Sequence, residues 1–195
     1  MSRILITGAS GFIGSALARS MAAYHDVLCL SRHRPEDADV PYVRGKFHSF
    51  EDLQQLDPYQ IEVLVHLGAV TGGCLESDCL MINVEGTRRL MRYLIDHGCR
   101  KFVMASSIAA VGFQSPKFRP LQVPIADEHP CLDRDGYGVS KYLMEEITKY
   151  YQRQVEDLDV INLRLASVSP DNRMPPPKRV GPLEQWCLAG ITRMA

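Results

Sequence analysis

Tyr137 and Lys141 stand four residues apart at the head of a stretch that reads as a helix, with Leu143, Ile147, Tyr150 and Tyr151 on one stripe. Four-residue spacing puts the phenol and the ammonium on the same side of that helix. A lysine ammonium beside a phenol favours the phenolate and lowers the tyrosine pKa. A phenol tuned in that way can give a proton to a carbonyl or take one from a hydroxyl. Ser107 closes the apolar run Lys101-Phe102-Val103-Met104-Ala105-Ser106, where its hydroxyl could hold the oxygen of a substrate. Tyr-x-x-x-Lys alone is a common accident of helix surfaces. It gains weight here from its order, after Ser107 and after a glycine-rich turn near the start of the chain.

That turn is Ile4-Leu5-Ile6-Thr7-Gly8-Ala9-Ser10-Gly11-Phe12-Ile13-Gly14. An apolar run stops at three glycines spaced three apart, and a helical pattern with Leu17, Ala18 and Met21 follows. A helix N-terminus presents unpaired N–H groups and the positive end of the dipole, which suits a pyrophosphate. Gly8 permits the turn, Gly11 lets phosphates approach the backbone, and Gly14 lets helix and strand pack closely. A dinucleotide lying along these strand ends would bring a nicotinamide beside Tyr137 to exchange a hydride.

The remaining elements position these groups. Asp26–Leu30 predicts a second strand, ending where a dinucleotide's adenosine ribose lies. Ser31 and Arg32 stand there, with Arg34 just beyond. No carboxylate is present for the ribose hydroxyls, and a guanidinium pairs well with a 2′-phosphate. These residues favour NADP(H) over NAD(H), with a solvated basic loop as the competing reading. Val40 to Val43 predicts a third strand. Ser49 predicts an N-cap, with Asp52 in the place of the usual glutamate. Val63 to Leu67 predicts a fourth strand, where Gly68 and Ala69 leave room for a cofactor and His66 is a hydrogen-bonded strand-end histidine. Leu80, Val84, Leu90, Met91, Leu94 and Ile95 predict one long helix over about 78–97, stopped by Gly98. Lys101 to Ser106 predicts a fifth strand, a polar loop runs to Arg134, and Val160 to Leu165 predicts a sixth strand. Alternating strands and helices imply an α/β, doubly wound parallel sheet with right-handed crossovers. The expected strand order is 3-2-1-4-5-6, with the ligand crevice at the carboxyl ends.

The 195 residues carry 22 basic and 23 acidic side chains, a net charge of −1. That balance gives no pull toward nucleic acid or a membrane surface. The short basic run Arg173, Lys178 and Arg179 is broken by prolines and reads as a solvated loop. No leader peptide is expected ahead of the first strand, and no apolar run of the sequence is long enough to span a bilayer. The six cysteines show no paired spacing and read as free thiols of a cytoplasmic protein. The histidines show no metal-ligand spacing, so no metal is expected.

The motifs together resemble the extended short-chain dehydrogenase/reductase family, the group of UDP-galactose 4-epimerase and related nucleotide-sugar epimerases, dehydratases and reductases. The resemblance rests on Thr7-Gly8-Ala9-Ser10-Gly11-Phe12-Ile13-Gly14, His66-Leu67-Gly68-Ala69, Asn83-Val84-Glu85-Gly86-Thr87, Ser106-Ser107 and Tyr137-Gly138-Val139-Ser140-Lys141. It implies a Rossmann domain over residues 1–170 and, in 171–195, only the beginning of a substrate-binding region. It implies Ser107, Tyr137 and Lys141 as the catalytic group, with Lys141 also holding the nicotinamide ribose. It further implies a cofactor set of Gly8, Ser10, Gly11, Phe12, Ile13, Gly14, Ser31, Arg32, Lys46, Phe47, Leu67, Gly68, Ala69 and Asn83, together with Tyr137 and Lys141. The implied partners are a sugar or nucleotide sugar and a second copy of the chain, paired through the helices beginning near Asp78 and Tyr137.

Four features depart from the family pattern. Ser31 replaces the expected acid, and Lys46 replaces the aspartate that contacts adenine. Ala166-Ser167-Val168-Ser169-Pro170 replaces the Asn and Tyr-Gly-Pro motif after the sixth strand. The chain also stops about a hundred residues before the family usually does. Two functions follow: an NAD(P)-dependent oxidoreductase, epimerase or dehydratase acting on a hydroxyl or carbonyl compound, or a dinucleotide-binding sensor without chemistry. The retained Ser107, Tyr137 and Lys141 favour the enzyme.

Overall fold

In a computed structural model, which describes residues 3–35, 39–71 and 73–169, six strands form one parallel sheet in the order β3-β2-β1-β4-β5-β6. The strands are β1 (Arg3–Thr7), β2 (Asp26–Ser31), β3 (Tyr42–Arg44), β4 (Val63–His66), β5 (Lys101–Ser107) and β6 (Asp159–Leu165). The expected strand order is the observed one. Residues 171–195, with the Pro175-Pro176-Pro177 stretch and a short helix expected around Leu183 to Cys187, lie outside the described residues.

The sheet is covered on both sides, which is why its central strands read as continuous apolar runs. Alternate side chains of each strand serve opposite faces. Ile4, Ile6, Val27, Cys29 and Val65 pack with Ala18 of α1 (Phe12–Ala22). Leu5, Leu28, Leu30, Leu64, Phe102 and Met104 pack on the other side. They meet Leu90, Met91 and Leu94 of α4 (Gly86–Asp96) and Met144 and Tyr151 of α5 (Gly136–Gln154). A short helix, α2 (Phe50–Leu53), starts at the expected Ser49 cap, whose hydroxyl accepts from the Asp52 N–H. The Asp52 carboxylate does not close a capping box. It accepts instead from the Lys46 N–H at 2.7 Å, tying the β3 end to this helix.

Several boundaries differ from the sequence reading. β3 occupies 42–44 rather than 40–43, because Pro41 cannot donate to a ladder. The expected single helix over 78–97 is three pieces: α3 (Glu76–Asp78), a π-helical segment Cys79–Glu85, and α4. The wider π turn shifts the register, so Leu90, Met91, Leu94 and Ile95 are buried while Leu80 and Val84 are only half-buried. The stripe of α5 is also displaced. Its buried face is Ser140, Lys141, Met144, Glu145, Thr148 and Tyr151, while Leu143 and Ile147 are half-buried and Tyr150 is exposed. Four of those six residues are polar or charged, which an apolar periodicity cannot detect.

Candidate functional site

β1 delivers the chain to the glycine turn in a conformation only glycine adopts easily. Gly8 has φ +72°, and a Cβ there would come within 2.8 Å of the Leu67 and Gly68 backbone. At Gly14 a Cβ would sit on the Gly8 carbonyl oxygen, so close helix–strand contact excludes any side chain. Gly11 is different. It caps α1 in an extended conformation, and a Cβ there would meet only the Gly8 oxygen, at 3.2 Å. No side chain caps this helix end and no acid occupies its first turn. The first-turn N–H groups therefore face the crevice without a helical acceptor.

The crevice is a cavity of about 590 Å³ along the carboxyl ends of the strands. All of the sequence-derived cofactor and catalytic residues line it except Asn83. Gly8, Ser10, Gly11, Phe12, Ile13 and Gly14 form one wall. Ser31, Arg32, Lys46 and Phe47 form the end beyond β2 and β3. Leu67, Gly68 and Ala69 form the floor, and Ser107, Tyr137 and Lys141 the far end. Asn83 is buried instead, from within the π segment. Its side chain pairs with both backbone groups of Val70, at 2.8 and 3.0 Å, and donates to Ser140 Oγ at 2.9 Å. It supports the wall from behind. Its amide ties a loop, a helix turn and α5 together, and the π-helical step aims it there.

Asp135 caps α5 by accepting from the Tyr137 and Gly138 N–H groups at 2.8 and 3.0 Å, which fixes the turn that carries Tyr137. The Lys141 ammonium is buried and donates to the Ala105 carbonyl at 2.6 Å, with its nitrogen 6.0 Å from the Tyr137 ring centroid. Burial pushes its pKa down to about 8. The expectation of an acidified phenol is not met. Burial raises the Tyr137 pKa, against a lowering pull from the Ser107 hydroxyl beside it. The ammonium is held at the strand carbonyl and does not reach the phenol oxygen. Ser107 itself accepts from the Ala109 N–H at 3.1 Å. His66 is the strand-end histidine expected: buried, bonded to Thr7 Oγ1 at 2.6 Å and Thr87 Oγ1 at 3.0 Å, and driven by burial to a pKa of about 3.

At the other end, the Ser31 hydroxyl is turned inward, donating to the His33 carbonyl at 2.5 Å. Arg32 and Lys46 are exposed. His48, which the sequence reading did not single out, also lines the cavity, with its Nδ1 buried and without a hydrogen-bond partner among the described residues. Its pKa is lowered by burial and then by Lys46, Arg32 and Arg89, so the cations share one field. Thr71, Ile82, Gln114, Leu165, Ala166 and Ser167 also line the cavity. Thr71, Ile82, Gln114 and Leu165 have ordinary chemistry and irregular spacing, so no sequence signal marks them, whereas Ala166 and Ser167 open the stretch that departs from the family pattern after the sixth strand. Among the described residues no cluster of His, Cys, Asp or Glu could hold a metal, five cysteines are free thiols, and no helix is long and apolar enough to cross a membrane.

A doubly wound sheet, a glycine turn into an uncapped helix and a Tyr-x-x-x-Lys pair at the strand ends define a short-chain dehydrogenase/reductase type of Rossmann protein. Residues 4–182 match the NAD dependent epimerase/dehydratase family, and the chain belongs to it. It is 26% identical over 187 residues to a UDP-glucose 4-epimerase of Halalkalibacterium halodurans, covering 88% of this chain and 53% of that protein. It is 29% identical over 163 residues to a putative UDP-glucose 4-epimerase of Methanocaldococcus jannaschii, covering 77% and 51%. Among solved structures, a short-chain dehydrogenase/reductase superfamily protein from Agrobacterium tumefaciens with bound NAD superposes with a TM-score of 0.75. It is 28% identical and covers 86% of this chain and 50% of its own. The chain thus spans about half the length of the curated relatives it matches.

Proposed function

We propose that this chain forms the dinucleotide-binding and catalytic half of an epimerase, dehydratase or reductase that moves a hydride between a nicotinamide and a sugar or nucleotide-sugar carbon. The observation that carries the reading is the single cavity that runs from the α1 N-terminus to Ser107, Tyr137 and Lys141. In it the first-turn N–H groups of α1 take the pyrophosphate, and Leu67, Gly68 and Ala69 carry the dinucleotide along the floor. Lys141 holds the nicotinamide ribose. The nicotinamide supplies or accepts the hydride. Ser107 orients the substrate oxygen and Tyr137 transfers its proton. The ribose hydroxyls beside Lys141 would add hydrogen bonds around the phenol, and an oxidised nicotinamide ring would add a positive charge; both favour the phenolate and would bring its raised pKa down.

The cofactor preference we assign is NADP(H), on Arg32, Lys46 and His48 at the adenosine end and the absence of a carboxylate among the described residues lining it. A second copy pairs across the outer sides of the two helical segments, where Met81 and Tyr150 are exposed and Leu80, Val84, Leu143 and Ile147 half-buried. Residues 171–195 open the substrate-binding region. The raised Tyr137 pKa and the Lys141 ammonium held on the Ala105 carbonyl favour one alternative, a chain that binds the dinucleotide without turnover. The two separate in a screen of sugars and nucleotide sugars with either dinucleotide, run on the longest natural form of the protein. Turnover that falls about 10²–10⁴-fold in Tyr137→Phe supports the enzyme. Unchanged turnover in Tyr137→Phe refutes the assignment, and tight dinucleotide binding with no turnover of any substrate supports the sensor.

A further inference from the structure

Three consecutive residues at the end of β5 face three successive turns of α5. The Ala105 carbonyl takes the Lys141 ammonium, the Ser106 hydroxyl donates to the Glu145 carboxylate, and Ser107 stands at the Tyr137 phenol. Glu145 is buried, which is rare for a carboxylate without a partner. Its partner is Arg164 of β6, whose Nε and Nη2 reach the two carboxylate oxygens at 3.0 and 2.7 Å. Such a fork-to-fork pair fixes direction as well as distance. One carboxylate therefore joins β5, β6 and α5 directly beneath the residues that would do the chemistry.

We propose that Glu145 is a positioning residue of the Tyr137–Lys141 site: clamped by Ser106 and Arg164, it locks α5 onto the β5 end and keeps the Lys141 ammonium where a dinucleotide ribose can take it. The inference rests on the dinucleotide reading given above. A structural pin alone would be served by an apolar pair of similar volume, since a buried ion pair is not by itself a source of stability. What a carboxylate adds is charge one helical turn from Lys141. Burial disfavours the Lys141 ammonium, and Glu145 acts against that burial. Tyr137 on the same helix, the Ala105 carbonyl on β5 and His66 on β4 also face Lys141. The phenol and imidazole are both neutral at pH 7, by their raised and lowered pKa values. Around the clamp, Cys131 faces Glu145 with its thiol held protonated by burial, and Asp127 and Glu128 face Arg164. Glu145 is thus the anionic side chain that acts on Lys141, and Arg164 limits how strongly it does so.

The test is the pH dependence of dinucleotide affinity, followed by NADPH fluorescence from pH 6 to 10 in the wild-type chain, Glu145→Gln and Arg164→Met. Affinity falls as Lys141 loses its proton, so the wild-type midpoint lies near 8. Glu145→Gln removes the supporting charge and moves the midpoint down by about one pH unit. Arg164→Met leaves Glu145 unshielded and moves it up. The two shifts have opposite signs, so either folded variant suffices, and a double variant returns toward the wild-type midpoint. Affinity that drops equally at every pH, with the midpoint unmoved in both variants, is the mark of a merely structural pin and overturns the inference alone. A wild-type chain that binds no dinucleotide at any pH overturns the functional reading, and this inference with it.

Discussion

Replacing Lys141 with methionine should make the ligand-free protein more stable while weakening its grip on a dinucleotide. Lys141 is only 4% exposed, and its ammonium has one hydrogen-bond acceptor among the described residues, the Ala105 carbonyl. Burial brings its pKa from 10.5 to about 8. At 1.36 kcal/mol per unit, keeping the proton in the folded state costs about 3 kcal/mol at neutral pH. Methionine fills a similar volume with no charge to desolvate. After loss of the carbonyl hydrogen bond, we expect a net stabilisation of about 1–3 kcal/mol, with a rise in Tm of roughly 3–9 °C for a chain of this size. The sign with pH follows from linkage. Between about pH 8 and 10.5 the unfolded state binds the Lys141 proton and the folded state does not, so wild-type stability from this group rises with pH. The advantage of Lys141→Met should therefore be full below pH 8 and vanish by about 10.5. Thermal melts at pH 7 and 10 read it directly, and effects of the buried thiols at high pH are common to both proteins. A variant less stable than wild type at pH 7, or an advantage that does not change with pH, would refute the claim that this ammonium is held at a cost.

Other predictions follow from the same geometry. Arg32→Ala should lose about ten- to a hundred-fold in NADPH affinity and little in NADH affinity, as expected for one charge-assisted pair, in parallel fluorescence titrations; equal losses for both cofactors would remove Arg32 from the 2′-phosphate. His66 titrates near 3 in the fold against 6.5 when free, so the unfolded state binds more protons between these values and stability falls as the pH does. Denaturant unfolding should show about 2 kcal/mol lost through this group between pH 7 and 5, absent in His66→Asn. Sedimentation at micromolar concentration should show a dimer that Tyr150→Glu dissociates; a monomeric wild-type chain would dismiss the helix pairing for this length of polypeptide.

The sheet, its order and most of the crevice were legible because each leaves a local signature. Parallel strands covered on both faces are apolar runs, and Gly8 and Gly14 are required by backbone geometry that no other residue fits. What stayed hidden depends on contacts between distant segments. Asn83 belongs to a cofactor-lining motif by resemblance, yet the π-helical turn points it at Val70 and Ser140 behind the wall. The Glu145–Arg164 clamp joins residues 19 apart on different elements, and nothing in either segment announces it. The spacing of Tyr137 and Lys141 correctly put both in one cavity, but not the ammonium on the Ala105 carbonyl, which depends on the exact approach of β5. His48 went unnoticed because its place is set by the turn into α2 and not by any motif.

The measurement closest to the central claim compares dinucleotide binding by the wild-type chain and Gly11→Ala. Within the protein a methyl group at Gly11 meets one neighbour, the Gly8 carbonyl oxygen at 3.2 Å, a tight contact relieved by a small backbone shift, whereas a pyrophosphate at the α1 N-terminus leaves it no place. NADPH titration with fluorescence and calorimetric readouts should give saturable one-to-one binding to wild type. Gly11→Ala should keep the circular dichroism spectrum of the parent, lower Tm by a few degrees at most through the tight Gly8 contact and the poorer N-cap, and lose most of that affinity. Equal affinity in the two proteins would place the dinucleotide elsewhere than along this glycine turn, and no binding to wild type at millimolar NADPH would contradict the account at its root.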